Sequence, residues 1–459
     1  MANQLSRTAP PAKHATVHPI AATPQLPSAV PLMALSTGFW AFKTLAAAHE
    51  LDLFSRLAGG AGTTVAELAE ALGLHQRPAE MLLTGCAALG LLEKTGGRYR
   101  NTPLSETYLV RGKPYYFGGF VQMLDKRLYP GWGRLTEALR TNRPTTWDPA
   151  VQSSVFDGED PMMLALFWEA MHSVSTMTAR ELGEAMDFGH FRRLLDIGGG
   201  SGAYDIELCK QYGALRATVF DLPHVAAIAA GKIAEAGLTD RIETAGGNFF
   251  EQLPGDHDVH LLSMILHDWD EAKNRALLRR SFGALPTGGA VVISELLVND
   301  EKTGPAPAAL MSLNMLIETE GRNYTQAEYS AWLEEAGFRH IETVWFEAPG
   351  ANGAVIGPSR KAQSAVNRRP AVQPCATMMM EAEMAHTQTR VDRHRLLGLV
   401  LKTTATAIAA LKTWQRTVSR RRAIAGLTPE RLRDIGHAEA PAPVLEVKAG
   451  LVTNLIAMR

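Results

Sequence analysis

The spacing of apolar positions changes near residue 190. Before it, apolar residues return every three or four positions, the spacing of one helix face. After it, short apolar blocks alternate with helical stretches. Residues 192–197, 216–221, 241–245, 258–266 and 290–297 read as strands, with helices over 203–212 and 271–284 among them. Thr325-x-x-Glu328 is a capping box that opens a helix to Ala336. Residues 340–347 and 354–357 form a closing hairpin around Gly350 and Gly353. Strands alternating with helices predict an α/β domain with a largely parallel sheet, whose ligands lie at the carboxyl ends of the strands.

Residues 31–105 predict helices and a small hairpin. Residues 39–51 carry apolar clusters at helical spacing, and Thr64-Val-Ala-Glu67 caps a helix that runs to Leu72. Residues 77–89 give a second helix, and 91–100 two strands around Gly96-Gly97, so the order is that of a winged helix. A helix that reads DNA needs basic and polar side chains, and 77–89 holds only Arg77, which favours dimerisation or packing. Residues 106–190 continue as helices. There Phe167, Met171 and Val174 recur at i, i+4, i+7 beside Trp168. Ordinary core explains such a stripe, and Phe167 and Met171 would also suit the wall of an apolar pocket.

The 459 residues imply two or three domains, and 46% hydrophobic content supports a sizeable core. No apolar run of about 18 residues predicts a membrane-spanning helix. The first 30 residues, rich in Ala and Pro, read as a disordered lead. Cys86, Cys209 and Cys375 stand far apart. They match no metal-ligand spacing and no disulfide framework, which suggests a reducing, cytoplasmic setting. The net charge of −1 conceals an asymmetry. Residues 360–459 hold 17 Lys/Arg against 7 Asp/Glu, an excess of +10, so the rest carries −11.

The candidate chemistry centres on Arg192-Arg-Leu-Leu-Asp-Ile-Gly-Gly-Gly-Ser-Gly202, a strand, a glycine turn and a helix start. Such a turn brings bare backbone and helical N–H groups against a ligand. Asp196 just before the glycines would repel a pyrophosphate but can pair with the cationic amino-acid end of S-adenosylmethionine. Asp221 follows Gly202 by 19 residues and ends the second strand, where a carboxylate can accept both hydrogens of a ribose diol; capping the next helix is its structural alternative. Asp196, Asp221, Asn248 and His267 all fall at strand ends, and that convergence outweighs any one motif.

Five stretches carry a family resemblance: Asp196-Ile-Gly-Gly-Gly-Ser-Gly202, Val219-Phe-Asp-Leu-Pro223, Gly246-Gly-Asn-Phe-Phe250, Ile265-Leu-His-Asp-Trp269 and Gly321-Arg-Asn-Tyr-Thr325. In this order they resemble the class I, plant-type S-adenosylmethionine-dependent O-methyltransferases, including bacterial relatives and hydroxyindole O-methyltransferases. The resemblance implies a Rossmann-like seven-stranded methyltransferase sheet over 191–358, a winged-helix dimerisation domain over 31–110 and a helical linker and pocket region over 111–190. It implies a homodimer that methylates a hydroxyl of a small aromatic or polyene-type molecule. It also implies His267 as the base, Glu295 as its orienting partner, and Gly198, Gly200, Asp196, Asp221, Asn248, Phe249 and Ser263 around the cofactor. Met311, Asn314 and Met315 fall where the family lines its acceptor pocket.

Three departures stand out. Asn323 replaces the family's second acidic partner of the base, with Glu318 and Glu320 as nearby substitutes. Asn248 stands where many relatives have Asp, and Ser263 where plant enzymes have Lys. A phenol near pKa 10 and a histidine near 6.5 differ by about 3.5 units, or roughly 5 kcal/mol, so proton removal must accompany attack.

Residues 359–390 read as a flexible linker, 391–440 as a basic helical module and 441–459 as a tail. Trp414-Gln-Arg-Thr-Val-Ser-Arg-Arg-Arg422 and Leu427-Thr-Pro-Glu-Arg-Leu-Arg-Asp-Ile-Gly436 resemble the YjiS-like short domain of small basic bacterial proteins. Arg420, Arg421 and Arg422 would give it salt-dependent affinity for RNA or another polyanion; a solvated helix face is the plainer alternative. The rival readings for the whole chain are a regulatory protein that binds the cofactor and nucleic acid, and methylation at nitrogen.

Overall fold

The computed structural model describes residues 27–359, apart from 61, 153–155 and 157–160. Most of the expected lead, and the linker, basic module and tail beyond Ser359, lie outside the described residues.

An N-terminal helical unit comes first, with α1 Val30–Glu50, α2 Leu53–Arg56, α3 Val65–Leu72, α4 Gln76–Ala88, β1 Leu92–Thr95 and β2 Arg98–Asn101. Helix α1 begins at Val30 rather than Phe39. Pro31 sits in its first turn, where the missing N–H has no helical partner to lose. The Thr64–Glu67 capping box forms, and β1 and β2 pair antiparallel with Thr95 opposite Arg98. Helix α4 buries Ala79, Leu83 and Cys86 in the core of its own unit.

Helices α5 Pro103–Tyr108, α6 Gly118–Met123, α7 Tyr129–Trp132, α8 Leu135–Thr141 and α9 Pro161–Ala185 follow, with a π-helical turn at Leu124–Leu128. The α/β part holds β3 Arg193–Ile197, α10 Ala203–Gln211, β4 Arg216–Asp221, α11 Pro223–Glu235, β5 Ile242–Gly246 and β6 Val259–Ser263. It closes with α12 Glu271–Ala284, β7 Ala290–Glu295, α13 Ala306–Glu318, α14 Gln326–Ala336, β8 Glu342–Trp345 and β9 Gly353–Pro358.

The seven-stranded sheet runs β5-β4-β3-β6-β7-β9-β8. Strands β3 to β7 are parallel and β9 runs antiparallel to β7. The chain steps outward from β3 through β4 to β5, then returns to the other side of β3 at β6. That reversal opens a crevice at the carboxyl end of β3. Both β6 and β7 are buried along their whole length, as central parallel strands are.

Two expected strands are shorter than their apolar runs. The run 258–266 leaves the sheet at Ser263, because Met264 takes φ 56° and Leu266–Asp268 winds into a 3-10 turn. The run 290–297 leaves it at Glu295. The Glu295 carboxylate holds the turn that follows β6, and beyond β7 the N–H of Leu297 bonds to Asn352 Oδ1.

Candidate active site

A cavity of about 550 Å³ opens at the carboxyl ends of the central strands. Every residue singled out above for cofactor or acceptor lines it: Asp196, Gly198, Gly200, Asp221, Asn248, Phe249, Ser263, Phe167, Met171, Met311, Asn314 and Met315. His267 lines it too, and Glu295 lies fully buried behind His267.

At one end the glycine turn forms a cradle. Gly198 and Gly200 have φ of 75° and 57°. A Cβ on Gly198 would sit 2.5 Å from Ile265 Cδ1, and one on Gly200 2.8 Å from the Trp168 ring. The Asp221 carboxylate accepts the N–H groups of Gly200 at 2.8 Å and of Leu222 at 2.7 Å, which ties the turn to the end of β4. The cap position of α11 itself falls on Leu222, so Asp221 braces the loop rather than capping the helix. Asp196 is 1% exposed and its Oδ2 has no hydrogen-bond partner among the described residues. Burial, Asp205 and Asp221 together raise its pKa well above the ordinary carboxylate value. A cradle without side chains beside an orphaned buried carboxylate fits the cationic amino-acid end of S-adenosylmethionine.

Asn248 is less free than the sequence suggested. Its Oδ1 accepts from Phe250 N at 2.9 Å and its Nδ2 donates to Glu251 at 3.1 Å, so one lone pair is left for an adenine amino group. Phe249 contributes an apolar face, packs tilted against Phe250 and meets Trp269 edge-on. Ser263 Oγ, on the last residue of β6, is buried close to the Tyr204 hydroxyl.

The His267 turn is held from several sides. Glu295 Oε1 accepts from Ile265 N and Leu266 N, both at 3.1 Å, and Oε2 lies 2.6 Å from His267 Nδ1. One carboxylate thereby pulls the chain out of β6 and orients the ring. Asn274 donates to the carbonyls of Leu266 and Trp269, and Tyr324 Oη donates to Trp269 O. Gly321 packs directly on the His267 carbonyl, where a Cβ would collide. With Nδ1 taken, Nε2 is the nitrogen left for a ligand; Asp268 Oδ1 stands 3.8 Å from it. Burial lowers the imidazole pKa, but Glu295 and Asp268 raise it more, to about 9. Burial raises the Asp268 carboxyl to about 7.

The other end of the cavity is apolar, with one buried acid. Glu318 is raised by burial, against the opposing charge of Arg127, 2.9 Å away. It also feels the charge of His267, whereas Glu320 is exposed and paired with Lys273. Of the two acids the sequence offers beside the missing partner, Glu318 is therefore the one whose charge reaches the ring. Asn323 makes its side-chain hydrogen bond elsewhere: its Nδ2 donates to Leu296 O at 2.8 Å, tying α13–α14 to the end of β7. Asn314 accepts from Trp132 Nε1 at 3.0 Å.

Sequence reasoning missed Asp205, Asp268 and Arg127. Asp268 stands inside the Ile265–Trp269 motif and was in plain view. Asp205 follows the glycine turn by one helical step, a position where burial is not visible. Arg127 reaches Glu318 from a π-helical turn 191 residues away, which no spacing rule foresees.

This arrangement can hold a cationic donor at the cradle and take a proton from a hydroxyl at His267. Residues 132–339 match the description of an O-methyltransferase domain, and 33–111 that of an O-methyltransferase dimerisation domain. The chain is 54% identical to a 3-hydroxy-5-methyl-1-naphthoate 3-O-methyltransferase of Streptomyces sahachiroi, over 70% of this chain and 93% of that one. It is 37% identical to a tetracenomycin polyketide synthesis 8-O-methyl transferase of Streptomyces glaucescens, over 69% and 94%. The crystal structure of human N-acetylserotonin methyltransferase in complex with SAM superposes with a TM-score of 0.66 at 30% identity, covering 74% of this chain and all of that one. The chain therefore belongs to the S-adenosylmethionine-dependent O-methyltransferase family.

Proposed function

We propose that this enzyme methylates a phenolic hydroxyl on a small fused-ring aromatic acceptor, with His267 as general base and Glu295 as its orienting partner. The observation that carries the reading is the 2.6 Å contact from Glu295 Oε2 to His267 Nδ1 at the cavity wall. S-adenosylmethionine, when bound, supplies an electrophilic methyl group on a sulfonium. The chain's own tasks are to grip the donor, orient the acceptor and receive its proton.

Asp196, with the glycine cradle, holds the amino-acid end, and Asp221 the ribose. Phe249, Asn248 and Ser263 form the adenine end. Phe167, Met171, Met311 and Met315 sandwich a flat apolar ring system, and Asn314 and Glu318 supply the polar edge. An imidazole near pKa 9 narrows the gap to a phenol to about one unit, or roughly 1.4 kcal/mol. At neutral pH the ring is mostly protonated. Phenol with imidazole and phenolate with imidazolium hold the same number of protons, and this reactive state becomes more populated as pH rises toward 9.

The dimer is built through residues 31–110, whose α1 exposes Val30, Leu32, Met33, Leu35 and Trp40, each more than 60% accessible. The pocket region 111–190 and the catalytic domain 191–358 complete the enzyme. The separated cysteines favour a cytoplasmic setting. The basic segment 391–440 is a polyanion-binding appendage with no part in the chemistry.

Incubation with labelled donor and a panel of hydroxynaphthoates, hydroxyindoles and simple phenols tests the reading. O-methyl ethers of fused-ring phenols, lost in His267→Ala, are expected. Adenosylhomocysteine binding without transfer to any hydroxyl would favour the regulatory reading, and label found only on nitrogen would overturn O-methylation. An RNA gel shift that weakens with salt, compared with a chain ending at residue 360, tests the appendage.

A further inference from the structure

The glycine cradle rests on two buried carboxyls, and only one of them touches the cavity. Asp196, the last residue but one of β3, is buried and lines the cavity. Asp205 lies on the first turn of α10, is 0% exposed and does not line it. The two side chains lie beside each other. Among the described residues neither Asp205 oxygen has a conventional hydrogen-bond donor, and Asp196 Oδ2 also has none. Neither residue forms an ion pair among the described residues. Two adjacent carboxylates in a low-dielectric site without a counter-ion cannot both ionise.

We propose that Asp205 is a positioning residue for the methyl donor: it holds a proton against Asp196, so that the pair meets the donor's ammonium group as a single negative charge. The inference rests on the reading of Asp196 given above. An ionised Asp196 alone would carry a bare buried charge before the donor arrives. A protonated Asp205 gives that charge an O–H donor and aims the free oxygen at the cradle. The proton count follows. Where the pair holds two protons, binding an ammonium expels one to solvent; where it holds one, none moves. Burial raises both carboxyls, Asp205 to about 7, so the first of the two protons leaves near neutral pH and the second stays shared within the pair.

The other titratable groups of this pocket are Asp221 at the end of β4, Tyr204 beside Asp205, and Cys209 one turn further on α10. His172 reaches the same loop from α9 through Ser201 Oγ at 2.8 Å. All four remain in the variants below, so a change confined to Asp205 reports on Asp205.

Calorimetry with adenosylhomocysteine, which keeps the ammonium and carboxylate, tests this on the full chain. Heats are taken between pH 6 and 9 in buffers of different ionisation enthalpy, which gives the protons released. The unmodified protein should release a proton at pH 6 and progressively less above pH 7. Asp205→Asn, whose amide N–H replaces the shared proton, should bind within about threefold of it and lose that release. Asp205→Ala should bind roughly tenfold weaker or more, for want of a hydrogen bond to a charge. Proton release unchanged in Asp205→Asn overturns the proposal. So does unweakened binding in Asp205→Ala; should that variant not fold, the proton count in Asp205→Asn decides. Asp196→Asn separates the two readings. If it binds as the unmodified protein does, the role of Asp196 itself fails. If it loses binding while Asp205→Asn keeps its proton release, only the inference about Asp205 falls.

Discussion

Glu295 Oε2 lies 2.6 Å from His267 Nδ1, while Oε1 of the same carboxylate accepts the N–H groups of Ile265 and Leu266. One side chain on β7 therefore sets both the ring's orientation and the backbone turn that carries it. Charge and shape are coupled at this position, and substitutions there separate the two.

Glu295→Gln keeps an acceptor for the backbone but removes the charge. Turnover is expected to fall, and the rising limb of kcat against pH should move down by about one unit or more, because Glu295 is the largest influence raising the imidazole. Glu295→Ala should also destabilise the fold by about 2–6 kcal/mol, since it removes the acceptor of the Ile265 and Leu266 N–H groups and of the longer bond from His267 N. A pH–rate profile and a urea melt read the two effects independently.

His267→Ala should lower kcat about 10²–10⁴-fold with the affinity for adenosylhomocysteine nearly unchanged. Turnover and calorimetry on the same preparation check this. Unchanged turnover removes His267 from the chemistry.

The raised His267 pKa makes stability depend on pH. The folded value is about 9 and the ordinary value 6.5, so the folded state binds the proton more tightly. The contribution is fully present below pH 6.5 and is lost as pH rises through 9, up to about 3 kcal/mol. Tm should fall across that window, and fall less in His267→Gln. Equal losses in both proteins would mean that the ring does not gain its proton on folding.

Glu318→Gln should reduce turnover and shift its pH profile to lower pH, because Glu318 faces His267 from the acceptor end. Glu320→Gln, on an exposed pair with Lys273, should stay within about twofold. Steady-state kinetics on both variants test the assignment.

Gly200→Ala places a methyl group 2.8 Å from the Trp168 ring on a residue with φ 57°. Strain of about 1–3 kcal/mol is expected, read as a lower Tm and weaker binding of adenosylhomocysteine.

The sequence by itself determined the α/β class, the strand that leads into the glycine turn and the capping boxes at Thr64 and Thr325. These are local matters, in which a few neighbouring residues hold the whole physical cause. It also brought Asp196 and Asp221 to strand ends and His267 to the turn beyond β6, because alternation of strand and helix dictates where a chain turns. Only the tertiary structure decided that the Asn323 amide bonds to Leu296, that the charge of Glu318 reaches His267 while Glu320 pairs with Lys273, and that Asp205 lies against Asp196. Those outcomes depend on which distant side chains exclude water from one another. Desolvation and pairing across the fold set the proton positions in this cavity, and neither leaves a mark in the spacing of residues along the chain.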